Sequence, residues 1–113
     1  MSTTNSPYTT EVEKIQDLNS FVSKEIGLTN WIEIKQSDIN TFGALTQDEQ
    51  WIHVDVERAK KESPFGTPVA HGFMILSYAS NFVYECLKVN SVIMGVNYGL
   101  NNCLLYTSPS PRD

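Results

Sequence analysis

Apolar positions recur at helical spacing near the start of the chain: Val12, Ile15, Leu18, Val22 and Ile26 fall on one face, and Gly27 supplies a stop. This spacing predicts an amphipathic helix from Thr10, packed on another element. The period then changes to two. Over residues 30–35, Ile32 and Ile34 alternate with Trp31, Glu33 and Lys35, which predicts a strand. Ser37 can cap a short helix over 38–45 whose Ile39, Phe42 and Leu45 form one stripe. A polar loop follows, then a short charged helix around 56–62. Pro64, Gly66 and Pro68 mark a second loop.

From Gly72 to Leu87, apolar residues lie on nearly every side, including Phe73, Met74, Ile75, Leu76, Phe82, Val83 and Cys86. A helix apolar all round is buried in a core or a bilayer. Ser77, Ser80, Asn81 and Glu85 decide for the core. Residues 91–100 alternate again, with Val92, Met94, Val96, Tyr98 and Leu100 on one face. Gly95 and Gly99 on the other leave room for a neighbouring backbone or ligand. The pattern gives strands and a central helix, an α+β class, without their topology. Residues 1–9 are polar and read as disordered, leaving 10–102 as one domain.

Composition narrows the classes. A chain of 113 residues suits a single core. A net charge of −5, spread without an acidic run, argues against nucleic acid or an anionic membrane as partner. No segment reaches transmembrane length, and the first residues lack the basic and apolar regions of a signal peptide, so a cytoplasmic protein is expected. Residues 103–113 back-translate without a gap to one frame of a transposon-based sequencing adapter. They are read as a non-native tail that replaces the natural sequence after Asn102. Setting them aside leaves Cys86 as the single cysteine, so no disulfide framework is expected.

The candidate chemistry lies between the first strand and the apolar helix. Both histidines of the chain are here, His53 five residues after Asp48 and His71 immediately before Gly72. Asp48 and His53 on a turning loop could both reach one water and move its protons. Gly72, at the start of a helix, offers a backbone N–H with no side chain in the way, at the positive end of the helix dipole. Such a donor can stabilise a developing oxyanion. A metal set of Asp48, His53, Asp55 and His71 is conceivable, but its spacing matches no metal motif and no cysteine cluster supports it, so no metal is expected.

The stretch from Thr46 to Asp55, with Gln50-Trp51-Ile52-His53 at its centre, together with Ala70-His71-Gly72, resembles the hydratase motif of the MaoC-like dehydratases. These are the (R)-specific enoyl-CoA hydratases, and the Gln-Trp-Ile-His variant is most similar to the subgroup of nodulation protein N. The resemblance covers roughly residues 28–102. It implies a hot-dog fold, a curved antiparallel sheet wrapped around a buried central helix, with the last strands missing from this chain. It also implies reversible addition of water to a 2-enoyl-CoA, with Asp48 and His53 as the catalytic pair and the Gly72 N–H on the thioester oxygen. Ser80, His71 and Gln50 become supporting residues, Ser80 by contact with the aspartate. The substrate is carried as a coenzyme A thioester with no further cofactor, and the full-length parent is a homodimer. Trp51 and Ile52 replace an Asn-Pro step, and Gln47 stands where a glycine is common, so loop geometry is where this chain departs from the pattern. Two other readings stay open: an acyl-CoA thioesterase on the same fold, and a non-catalytic acyl-thioester-binding protein.

Overall fold

A computed structural model describes residues 6–105, which form two compact units. The first comprises the chain up to Trp31 together with Ala79–Cys103, and the second comprises Ile32–Tyr78 with the chain from Leu104. Positions 1–5 of the expected disordered segment, and 106–113 of the expected adapter tail, lie outside the described residues.

The first unit is built on a three-stranded sheet of order β2-β1-β3. Strand β1 is Tyr8–Val12, β2 is Gly27–Leu28 and β3 is Leu87–Val89. β1 runs antiparallel to β2, Tyr8 opposite Leu28 and Thr9 opposite Gly27, and parallel to β3, Thr10 opposite Leu87 and Val12 opposite Val89. Asn90 fastens the end of that pair by donating to the Glu11 and Glu13 carboxylates at 2.9 and 3.1 Å. Tyr8 donates to Glu25 at 2.8 Å, a bond that holds its phenol above the ordinary tyrosine pKa. Helix α5, Ala79–Cys86, packs on all three strands of this unit. At Gly27 the backbone lies against Cys86, so that a Cβ there would overlap the Cys86 side chain.

The helix expected from Thr10 is instead a strand followed by a 3₁₀ segment, Ile15–Phe21. Thr9, Thr10 and Val12 are β-branched and find partners in β2 and β3, and pairing overrides a marginal helical period. Tyr8 and Thr9 are therefore ordered in β1 rather than part of a disordered start. Ile15, Leu18 and Phe21 keep a spacing of three, which is the face of a 3₁₀ turn. The strands expected at 30–35 and 91–100 do not form among the described residues. A strand is stabilised by its neighbours, and neither segment has one. Ile93 and Tyr98 are fully exposed, and a Cβ at Gly95 or Gly99 would meet nothing within 4 Å, so the close approach expected there is absent.

In the second unit, α1 (Gln36–Thr46), α2 (Trp51–Val54), α3 (Val56–Glu62) and α4 (Gly72–Ser77) follow in order. α1 begins ahead of the expected Ser37 cap because Asp38 reaches back to accept from the Lys35 N–H at 2.9 Å. Among the described residues, Ile39 on α1, Ala59 on α3 and Met74 on α4 are the buried apolar side chains of this unit. Asp55 caps α3 by accepting from the Arg58 N–H at 3.1 Å. The helix expected to run unbroken from Gly72 to Leu87 is interrupted at Tyr78, and Leu87 already belongs to β3. Its burial is one-sided as well: Val83 and Tyr84 on α5 are 55% and 75% exposed.

Candidate active site

The site is assembled by three turns of the second unit. α1 ends in a left-handed residue, Gln47, at φ 59° and ψ 33°, and the Asp48 N–H then closes onto the Gly43 carbonyl at 2.9 Å. That reversal carries Asp48 back over the last turn of α1. Gln50 starts α2, whose single turn places His53 inward, 7% exposed. The 64–70 loop returns alongside, with the Val69 N–H on the Ile52 carbonyl at 3.1 Å, and delivers His71 to the start of α4.

The left-handed conformation at Gln47 explains why glycine is favoured there: a side chain in that region costs about 1–2 kcal/mol. Glycine removes that cost but gives the unfolded chain more freedom, by about 0.5–1 kcal/mol. Gln47→Gly is thus expected to stabilise the chain by ~0.5–1 kcal/mol, read as a rise in urea midpoint at unchanged slope.

Both histidines have tautomers set by backbone carbonyls, which only accept. His53 Nδ1 lies 2.7 Å from the Val69 carbonyl, so Nδ1 carries the hydrogen and Nε2 keeps its lone pair. His71 Nε2 lies 2.8 Å from the Asp48 carbonyl, so there Nε2 is protonated and Nδ1 holds a lone pair, buried and without a partner. The two rings stack at 3.9 Å and 26°, and Phe42 closes over His71 at 5.0 Å. One carboxylate oxygen of Asp48 and one ring nitrogen from each histidine lie within 4.8 Å of one another. Asp48 is exposed, while the two histidines beside it are buried.

Each histidine donates one ring N–H to a backbone carbonyl, which leaves its other ring nitrogen, beside the Asp48 carboxylate, for a proton or a cation. Asp55 is engaged as the cap of α3.

The sequence-derived residues fall into two groups. Asp48, Gln50, His53, His71 and Gly72 line one cleft of 390 Å³, walled on its apolar side by Ile52, Phe65 and Phe73. Gly72 opens α4, whose internal bonding starts with the Met74 and Ile75 N–H groups on the His71 carbonyl, so its own N–H is outside the helical ladder. Ser80 lies on α5 in the first unit, where its hydroxyl accepts from Asn97 Nδ2 at 3.1 Å. Trp51 takes no part in the cleft wall and instead carries the Arg58 guanidinium over its ring at 4.2 Å. Two contributors were not anticipated. Gly43 forms a bare shelf under the site, where a Cβ would sit 3.0 Å from the Asp48 carbonyl and 3.5 Å from the His71 ring. Gln36 donates to the His53 carbonyl at 2.8 Å. A glycine inside a helical stretch is a readable signal for the first; nothing in the sequence marks the second.

The chain is similar to known proteins over most of its length. The family model for the MaoC like domain matches residues 17–109. The 3-hydroxyacyl-thioester dehydratase Z of Mycobacterium tuberculosis is 39% identical over 99 residues, 88% of this chain and 64% of the relative. Nodulation protein N of Rhizobium meliloti is 43% identical over 88 residues, 77% of this chain and 55% of the relative. The chain thus spans less than two thirds of the length of these relatives. A solved structure described as a monoamine oxidase regulatory protein from Archaeoglobus fulgius matches with a TM-score of 0.48 and 32% identity, covering 76% of this chain and 57% of that one. With a family model matching most of its length, and strands packed on a helix in the α+β manner of the hot-dog fold, the chain belongs to the MaoC-like domain family.

Proposed function

We propose that this chain carries the catalytic half-site of a hydro-lyase that adds water reversibly to a 2-enoyl thioester. The observation that carries the reading is the tautomer of His53. With Nδ1–H bound to Val69, its Nε2 lone pair and the Asp48 carboxylate are two acceptors on one cleft, and a single water can donate one hydrogen to each. The water oxygen is then free to attack C3. Asp48 takes the proton, His53 holds the water and shares in the transfer, and the proton is returned to C2, so that the hydroxyl and hydrogen of one water are added across the double bond. Negative charge passes to the thioester oxygen, against the Gly72 N–H. Dehydration is the same path reversed.

The substrate is an acyl chain carried as a coenzyme A thioester, with no cofactor beyond that carrier. The dehydratase name of the mycobacterial relative supports the reaction class. A second copy of this chain is the proposed partner, supported by the uncovered apolar positions Ile93, Met94, Val96 and Tyr98. Among the described residues no helix is long and apolar enough to cross a membrane, and a cytoplasmic site of action is proposed.

The test is hydration of crotonyl-CoA, followed as loss of the conjugated enoyl-thioester absorbance. Turnover to the 3-hydroxyacyl product is expected. Release of free thiol in its place would transfer the site to thioester hydrolysis, and tight binding without either product would make it a binding protein.

A further inference from the structure

We propose that His71 is a positioning residue that holds the proton-transfer pair in register, a role that rests on the hydratase reading for its consequence but not for its geometry. His71 touches both members of the pair in different ways. Its Nε2–H fixes the Asp48 main chain at 2.8 Å, and its ring face fixes the plane of the His53 imidazole at 3.9 Å. The residue is itself held in place: it is 2% exposed, has the Phe42 ring tilted against it at 5.0 Å, and lies where a Cβ on Gly43 would come within 3.5 Å of its ring. A buried ring stacked on one neighbour, met by a second and bonded at one nitrogen has little freedom to turn.

The unpartnered Nδ1 of His71 argues that this arrangement serves the site more than the fold. A buried acceptor without a donor opposes folding, and a phenylalanine would fill the same space without one. What phenylalanine cannot supply is the N–H to Asp48. Nor can a glutamine, whose amide can reach that carbonyl, supply the ring face for His53. The two substitutions therefore separate the two contacts.

Both variants are compared with the wild-type chain in crotonyl-CoA hydration, thermal melting, and ¹⁵N-resolved histidine NMR. His71→Phe is expected to keep the melting temperature and lose about 10²-fold in kcat at nearly constant KM, since small misplacements of reacting groups carry costs of that order. His71→Gln is expected to lose kcat as well, with the His53 ring loosened on its Val69 bond, read as faster solvent exchange of its Nδ1–H. Wild-type kcat in either folded variant, or a loss confined to KM, overturns the proposal. A wild-type chain without hydration activity defeats the reading of function instead. The positioning inference is then decided by NMR alone, where a His53 spectrum left unchanged by His71→Gln refutes it.

Discussion

Asp48→Asn is expected to lower kcat for crotonyl-CoA hydration about 10²–10⁴-fold, the range a positioned acid–base group supplies. The substitution is close to isosteric, and the Asp48 main chain keeps both of its bonds, the N–H to Gly43 and the carbonyl to His71. The exposed carboxylate forms no ion pair among the described residues, so the melting temperature should stay near wild type. His53→Gln should match it in rate but not in stability. His53 is buried, and its Nδ1–H to Val69 ties the 64–70 loop to α2 alongside the Val69 N–H on Ile52. Losing it costs about 1–3 kcal/mol if the Val69 carbonyl is left dry. Steady-state kinetics beside urea unfolding will separate the two effects. An Asp48→Asn chain that hydrates at wild-type rate would remove Asp48 from the reaction, leaving His53 Nε2 as the only acceptor for the water proton.

The parts of the fold that could be read in advance are those whose signals are local. α3 falls on the 56–62 expected from its charged stretch, and α1 extends the expected helix by two residues at its start and one at its end. The cluster of Asp48, His53, His71 and Gly72 was legible for a similar reason: a short loop carries both ends of it, and one helix start carries the rest. Strand β1 was not legible, because Thr10 and Val12 serve a helical or an extended pattern equally until Leu87 and Val89 arrive from far along the chain. Segments 30–35 and 91–100 fail in the opposite direction. Their alternation is real, but alternation only prepares a strand, and pairing makes one. The Ser80 bond to Asn97 was illegible for the same reason, since it depends on where the 91–100 segment lies and not on any spacing within α5.

The second large effect is expected from a single hydrogen. Gly72→Pro deletes the N–H assigned to the thioester oxygen, and the local backbone is already suited to proline. Gly72 is the first residue of α4, the one helical position that proline favours. His71 ahead of it sits at φ −59° and ψ 136°, inside the extended region that a residue before proline prefers. The His71 carbonyl still receives Met74 and Ile75, so the helix loses none of its own bonds. Stability should therefore hold while kcat falls about 10²–10³-fold, the usual consequence of removing one oxyanion donor. Gly72→Ala is the control for bulk, because it keeps the N–H and adds a methyl group to the same cleft. A full loss in proline with most of the rate kept in alanine assigns the effect to the hydrogen bond. Equal losses in both would mean that Gly72 is there to leave space, and the oxyanion would then need another donor along the cleft wall, with the exposed Gln50 side chain the first to substitute.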